Sequence, residues 1–335
     1  MIRVLHILPA LNIGGVEIGV KTSLPALRDR FDYRIFSLKG PGSAGVPTLS
    51  RMAFLRHILD SSSRPDIVVS SLWPSHPLGW ALQAFGIRWL PFFHAANSEG
   101  PPRDQILGWA ARHSKVHLCD SRATADHYGF TGLDTIVCPF IFKRAHGQPA
   151  PREREFGLVV CGRLSPEKRP DLILSFLEQA RDQWQDQRAL LLLGADDSSF
   201  AAFKADAERR GIRASILQNV PSDDVADYFR SAKFYLNLSD YEGFSMTTAE
   251  ALYNGCVPVV RPVGEIPSYL PPDAGIYVSQ PDAEGFAAAI DTCKQLSPDP
   301  DRRAAMAAAG IEGLEGYEGY VEAFSRALHH AMKVL

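Results

Sequence analysis

At 335 residues, 46% hydrophobic and 22% charged, the chain has the length of two ordinary globular domains, and no apolar run approaches the ~20 residues of a membrane span. Its net charge of −3 is unevenly divided: through residue 150 there are 16 Lys and Arg against 10 Asp and Glu, and afterwards 19 against 28. A negative total with no recognisable module argues against nucleic acid, whereas a basic first half holding eight of the ten histidines argues for an anionic counterpart there.

Taken in order, the chain alternates short apolar runs with helical patterns. Met1 to Leu8 reads as a short strand rather than a signal peptide, since it lacks a long apolar region and a cleavage site; a cytoplasmic protein is expected. Further strands are expected at Tyr33–Leu38, Ile67–Ser70, Trp89–Phe93, Val116–Cys119 and Thr135–Cys138, with helices such as Val16–Asp29 and Ala123–Tyr128 between them. Lys143 to Glu155 is polar and carries proline, as a linker would. A second series begins at Gly157 and continues with strands at Ala189–Leu193, Ser215–Leu217, Phe234–Leu238, Val257–Val260 and Ile276–Val278, followed by an alanine-rich helical end. Alternation of this kind argues for an α/β chain with doubly wound parallel sheets. The five cysteines, Cys119, Cys138, Cys161, Cys256 and Cys293, are odd in number and mostly sit in apolar runs, so they read as reduced core residues.

Chemistry concentrates where strands end. Ser239 to Leu270, SDYEGFSMTTAEALYNGCVPVVRPVGEIPSYL, reads as loop, helix, strand after the run Phe234–Leu238. A loop entering a helix N-terminus offers unpaired N–H groups to an anion, and Gly243 would let a ligand approach the backbone. Glu242 and Glu250 lie eight residues apart and so act at different places. Thr247-x-x-Glu250 also fits a capping box, and Glu242 could be a solvated loop acid. Upstream, Cys161-Gly162-Arg163-Leu164-Ser165-Pro166-Glu167-Lys168-Arg169-Pro170 puts a glycine and two cations, Arg163 and Lys168, in a strand-end loop suited to a diphosphate, with Glu167 and Arg169 expected at the surface. Near the start, Gly14 and Gly15 open a helix with Glu17 in its first turn, and His94 stands just beyond a strand.

These stretches resemble family 4 of the retaining glycosyltransferases, the glycosyl transferases group 1, which have the GT-B fold. The family's donor signature, E-G-F-G-x-x-x-x-E, then A-x-x-x-G-x-P-V-V and G-G-I-x-E, corresponds to Glu242 through Glu250, to Ala251 through Val260 with one residue more between Gly255 and Pro258, and to Gly264 through Ser268 with Glu265 at the second glycine. Ser245 replaces the second glycine and Ser268 the usual glutamate. Arg163 and Lys168 match the family's G-R-L-x-x-x-K loop, and Asn12 to Glu17 its G-G-x-E loop.

The resemblance implies two Rossmann-like doubly wound domains facing a central cleft: residues 1–145 for the acceptor, 156–310 for a nucleotide-diphosphate sugar, and 311–335 as a helix crossing back to the first. It implies that Glu250 holds the ribose hydroxyls and Glu242 those of the donor sugar. Gly162, Arg163, Lys168 and the backbone at Gly243, Phe244 and Ser245 would hold the diphosphate, with Gly14, Gly15 and His94 nearby. The sugar would pass to a glycan or lipid-linked acceptor with retention, in cell-envelope synthesis, by a hexosyltransferase-type enzyme without cofactor or metal. A GT-B sugar-nucleotide 2-epimerase and a non-catalytic sugar-nucleotide-binding member remain alternatives. Asp196-Asp197 reads as a turn and helix cap rather than a metal motif. Trp73-Pro74-Ser75-His76 and Trp109, near Arg103, Arg112 and Lys115, either pack on the sheet or dock on an anionic membrane surface.

Overall fold

The computed structural model describes residues 1–11, 14–42, 45–94, 100–130, 132, 134–142, 154–184 and 187–335. It divides into two units, Met1–Phe142 with Tyr317–Leu335, and Lys143–Gly316. Of the expected linker, residues 143–153 lie outside the described residues, as do Asn12, Ile13 and residues 95–97 of the loops read above.

In the first unit the apolar runs become six parallel strands. The order along the chain is β1 (Arg3–Leu8), α1 (Gly15–Arg30), β2 (Asp32–Ser37), α2 (Arg51–Leu59), β3 (Ile67–Ser71), α3 (His76–Ala81), β4 (Arg88–Phe93), α4 (Arg103–His113), β5 (His117–Cys119), α5 (Arg122–His127) and β6 (Thr135–Val137). The sheet order is β2-β1-β3-β4-β5-β6, with every pairing parallel. Strands buried on both faces need near-continuous hydrophobic sequence, which is why a run such as VLHIL carries one polar residue, His6, and buries it. One face packs Leu5, Ile7, Val68 and Trp89 against Phe54 and Ile58 of α2 and Leu107 and Ala110 of α4. On the other, Phe92 stacks with Tyr320 and Phe324 of the last helix.

The second unit runs β7 (Phe156–Arg163), α6 (Pro170–Gln183), β8 (Ala189–Gly194), α7 (Asp197–Arg209), β9 (Ala214–Gln218), α8 (Val225–Arg230), β10 (Ala232–Asn237), α9 (Met246–Tyr253), β11 (Val257–Val260), α10 (Ile266–Tyr269), β12 (Ile276–Tyr277), α11 (Ala283–Leu296) and α12 (Pro300–Glu315). Its sheet order is β12-β11-β10-β7-β8-β9, again all parallel. Alternate residues of one strand face opposite layers. Leu158 and Val160 pack with Phe176 and Phe286 from α6 and α11. Val159 packs with Phe229 and Ala251 from α8 and α9. Relabelled from its own first strand, this order is that of a doubly wound dinucleotide fold, whose direction reverses between β7 and β10. Ligands of such sheets bind beyond the carboxyl ends of the strands at that reversal.

The last helix, α13 (Tyr320–Val334), belongs to the first unit. Tyr320 N donates to Ile141 O, and Arg30 of α1 pairs with Glu322 at 3.0 Å. Cys119, Cys138, Cys256 and Cys293 are buried and Cys161 partly so.

Candidate functional site

The reversal point of the second sheet gathers the charged residues singled out in the sequence. Arg163 ends β7, Lys168 follows within the same connection, and Glu242 lies in the loop after β10. The lining around them includes Gly162, Arg163, Lys168, Asn237, Ser239 and Glu242.

Glu242 is buried, at 8% exposure, which for a lone carboxylate would be costly. Three donor-bearing side chains converge on one of its oxygens. Lys168 Nζ donates to Oε1 at 2.7 Å and Asn237 Nδ2 at 2.9 Å, and the Ser239 hydroxyl lies at 2.8 Å. That hydroxyl is also 2.6 Å from Asn237 Oδ1, so its single proton serves one acceptor at a time. Ser239 N donates to Asn237 Oδ1 at 3.0 Å, which fixes the Asn237 amide with its NH2 towards Glu242. None of the three reaches Oε2. Burial pushes the Glu242 carboxyl up, but the Lys168 charge and the hydrogen bonds of Lys168, Asn237 and Ser239 outweigh it and hold the group below the ordinary value of 4.5. The solvated loop acid is thus not what the structure contains.

The loop itself is braced from two sides. Asp240 N donates to Glu167 O, and the Asp240 carboxylate pairs with Arg169 at 3.0 Å and with Arg261. Arg169, expected at the surface, is 30% exposed there; it enters α6 with φ +50° and bonds Asp171 at 2.7 Å as well. Glu167, also expected at the surface, accepts from the Ser165 hydroxyl at 2.6 Å and pairs with Arg163 at 3.5 Å. On the far side Glu265 N donates to Gly243 O at 2.9 Å. Gly264, at φ +58°, is required there: a Cβ would stand 2.2 Å from Glu242 O. A Cβ on Gly162, in contrast, would face open space.

Helix α9 starts at Met246 with Ser245 as its cap residue, at φ +62°. A left-handed conformation is the reason for glycine at this place in the family signature, and serine holds it here by side-chain bonds. The Ser245 hydroxyl lies 2.8 Å from Thr248 Oγ1 and accepts from Asn237 Nδ2 at 3.3 Å. Thr247 is therefore inside the helix, where it accepts from Tyr235 OH at 2.7 Å, and Ser245 rather than Thr247 takes the cap position that the capping box would need. Glu250 lies on the partly exposed side of α9, close enough to Cys161 to add to the burial that pushes that thiol up to about 12. The Phe244 ring is buried on Tyr269, with centroids 5.0 Å apart, so only its backbone is left for a ligand.

Gly14, Gly15 and His94 belong to the first unit. A side chain at Gly14 would meet Glu17 Oε2 at 2.5 Å. His94 lies tilted against Phe92 with centroids 4.0 Å apart; both its nitrogens are buried without a partner among the described residues, and burial holds it neutral. Asp196 caps α7, accepting from Ser199 N at 2.9 Å. His76 is fully buried, Trp73 packs against the core and Trp109 lies against Trp80 and Trp89, so the membrane-facing reading of these aromatics gives way to packing. Among the described residues no three His, Cys, Asp or Glu side chains gather as a metal site, and no helix is long and apolar enough to cross a membrane.

Asn237 and Ser239 were not legible as site residues. Asn237 closes an apolar strand run, and the one signal was a polar side chain there, five residues before the acid.

Residues 142–312, just over half of the chain, match the family model of the glycosyl transferases group 1. Among curated proteins, the D-inositol 3-phosphate glycosyltransferase of Streptomyces bingchenggensis is 27% identical over 243 residues, covering 60% of this chain and 52% of that one. The phosphatidylinositol N-acetylglucosaminyltransferase GPI3 subunit of Saccharomyces cerevisiae is 29% identical over 125 residues, covering 37% and 27%. The chain thus spans about a quarter to a half of the length of these relatives. Among solved structures, HepE of Anabaena in complex with UDP-glucose aligns over all of both chains with TM-score 0.78 and 15% identity. Sucrose-phosphate synthase of Thermosynechococcus elongatus aligns over 98% of this chain and 97% of its own, with TM-score 0.75 and 18% identity. These likenesses show the GT-B fold, with its two Rossmann-like units.

Proposed function

The chain belongs to the glycosyl transferases group 1 family, and on that premise we propose that this glycosyltransferase is a retaining, hexosyltransferase-type member of family 4, taking its sugar from a nucleotide-diphosphate sugar. The observation that carries the reading is the ionised, buried Glu242 held through one oxygen by Lys168, Asn237 and Ser239 at the sheet reversal. Held this way, its second oxygen is the one to accept from donor-sugar hydroxyls. Glu250 takes the ribose hydroxyls. Arg163, Lys168, Gly162 and the backbone from Gly243 to Ser245 stabilise charge on the leaving diphosphate, which is electrostatic stabilisation where charge develops. That UDP-glucose is bound by a neighbour of the same fold supports a nucleotide sugar as donor. In the first unit His94, neutral and with nitrogens unpartnered among the described residues, is a hydrogen-bonding group for sugar, and Gly14 and Gly15 allow close backbone approach.

Attack on the face the leaving group departs from lets the departing phosphate oxygen take the acceptor's proton, so no enzymic base is needed. With two cations and a helix N-terminus at the diphosphate, neither metal nor cofactor is needed. The acceptor is a hydroxyl of a glycan or lipid-linked molecule of the cell envelope. The excess of Lys and Arg in the first 150 residues supports peripheral contact of the first unit with an anionic membrane, at its cytoplasmic face. A thermal-shift panel of sugar nucleotides tests the donor assignment, because a ligand of the folded state raises its apparent stability. No shift from any nucleotide sugar would remove it.

A further inference from the structure

Large hydrophobic side chains exposed among the described residues are few, and they cluster. Met52 is 75% exposed, Leu55 49% and Leu59 64%, all on the nine-residue helix α2; Phe85 and Trp80 follow close behind in the sequence. The buried side of α2 is already supplied by Phe54, His57 and Ile58, so these residues are not its core stripe.

At about 100° per residue, and counting from Arg51, Leu55 lies near 40°, Leu59 near 80°, Met52 near 100° and Arg56 near 140°. The exposed surface of α2 is thus an apolar ridge bordered on both long sides by an exposed arginine. Arg64 extends it. Its guanidinium donates to Ile58 O at 2.9 Å, to Leu59 O at 3.4 Å and to Phe85 O at 3.2 Å, tying Phe85 to the end of the helix. The acid next in sequence, Asp60, accepts from the Ser62 and Ser63 hydroxyls and Ser62 N, and it also feels the charge of Arg56.

We infer that Met52, Leu55 and Leu59 of α2 enter an anionic lipid surface while Arg51 and Arg56 stay at the depth of the phosphates. The inference rests on the proposed membrane contact of the first unit and names the surface that makes it. The occupant follows from charge and shape. A convex ridge three side chains wide has no groove for a peptide, while a headgroup layer places negative charge directly above an apolar layer, which is the order of these side chains. Arginine suits the boundary, because its stem can lie along apolar surface with the guanidinium at the phosphates.

The test is co-sedimentation at low salt with phosphatidylcholine vesicles, with and without phosphatidylglycerol. Three proteins are compared: wild type, Met52→Ser/Leu55→Ser/Leu59→Ser, and Arg51→Ala/Arg56→Ala. Wild type should bind only the anionic vesicles. The triple variant should lose at least tenfold in partitioning, and each arginine removed should cost about fivefold. Because the replaced side chains are exposed, melting temperatures and the nucleotide-diphosphate thermal shift should match wild type in both variants. Full binding by the triple variant would overturn the assignment to α2 and leave the membrane contact standing on another surface. Equal wild-type recovery with neutral vesicles, or none with either, would overturn both. A missing nucleotide shift with intact vesicle binding would instead fault the donor assignment alone.

Discussion

Lys168 and Glu242, 74 residues apart in sequence, form an ion pair of 2.7 Å at the point where the second sheet reverses direction. The carboxylate is buried and the ammonium is one-quarter exposed. Removing Lys168 therefore leaves an uncompensated buried charge. Lys168→Met should destabilise the second unit by about 2–3 kcal/mol, and Glu242→Gln on top of it should recover part of that loss. Chemical denaturation of the four members of the cycle reads the coupling; additive effects would mean that the pair does not stabilise the fold.

The same pair sets a pH dependence. The folded Glu242 carboxyl is held below 4.5, so its stabilisation is fully present above that pH. As pH falls below 4.5 towards the folded value, the unfolded chain takes up its proton first and the contribution disappears. Stability measured from pH 6 down to pH 3 should fall more steeply in wild type than in Glu242→Gln. Parallel curves would contradict the assignment.

Arg163 is the cation whose loss can be read without this complication, since it is largely exposed and pairs only loosely with Glu167. A charge-assisted contact is worth ~1.5–3 kcal/mol, so Arg163→Ala should weaken nucleoside diphosphate binding tenfold or more. Calorimetry with the bare nucleotide checks this. Adding chelator to wild type should leave turnover unchanged, and restoration by manganese after chelation would count against a purely cationic clamp.

The two acids should separate by ligand. Glu242→Gln is expected to cut turnover strongly and leave bare nucleotide binding near wild type, because its partner is sugar. Glu250→Gln is expected to weaken the bare nucleotide as well. Identical binding by both would leave Glu250 without a ligand.

Ser245 offers a test on the backbone. Serine at φ +62° carries left-handed strain of ~1 kcal/mol, offset by bonds to Thr248 and Asn237. Ser245→Gly, which removes both, should be within ~1 kcal/mol of neutral, whereas Ser245→Ala keeps the strain, loses the bonds and should cost ~1–2 kcal/mol. Equal effects in thermal unfolding would show that the hydroxyl bonds are idle.

The strands were legible because a parallel sheet covered on both faces demands uninterrupted apolar runs, and Val257–Val260 keeps the expected bounds while others shift by a residue or two. The charged core of the site was legible through spacing around glycine. Its support was not. Asn237 and Ser239 reach Glu242 because the loop after β10 folds back on the end of its own strand, which periodicity does not state, and Lys168 reaches it because β7 and β10 are neighbours. Arg169 is the surface cation it reads as, but its partner Asp240 lies in the loop after β10, 71 residues on, and local sequence does not show it. For α2 the pattern shows a helix, but periodicity does not tell which apolar face a neighbour covers. Of the two readings of Trp73 and Trp109, packing on the sheet is the one the structure contains, as large rings with apolar neighbours favour.

The first unit is discontinuous in sequence, and this imposes an order on biosynthesis. Translation delivers residues from the amino end, and domains tend to fold as they emerge. The second unit is contiguous and is complete at Gly316, while the first still lacks Tyr317–Leu335. Until then His6 and Phe92 lack the aromatic cover that Phe324 provides. The half of the chain synthesised first is therefore finished last, and a chain cut short before Tyr317 would hold every residue of its second unit but a first unit with an open hydrophobic seam.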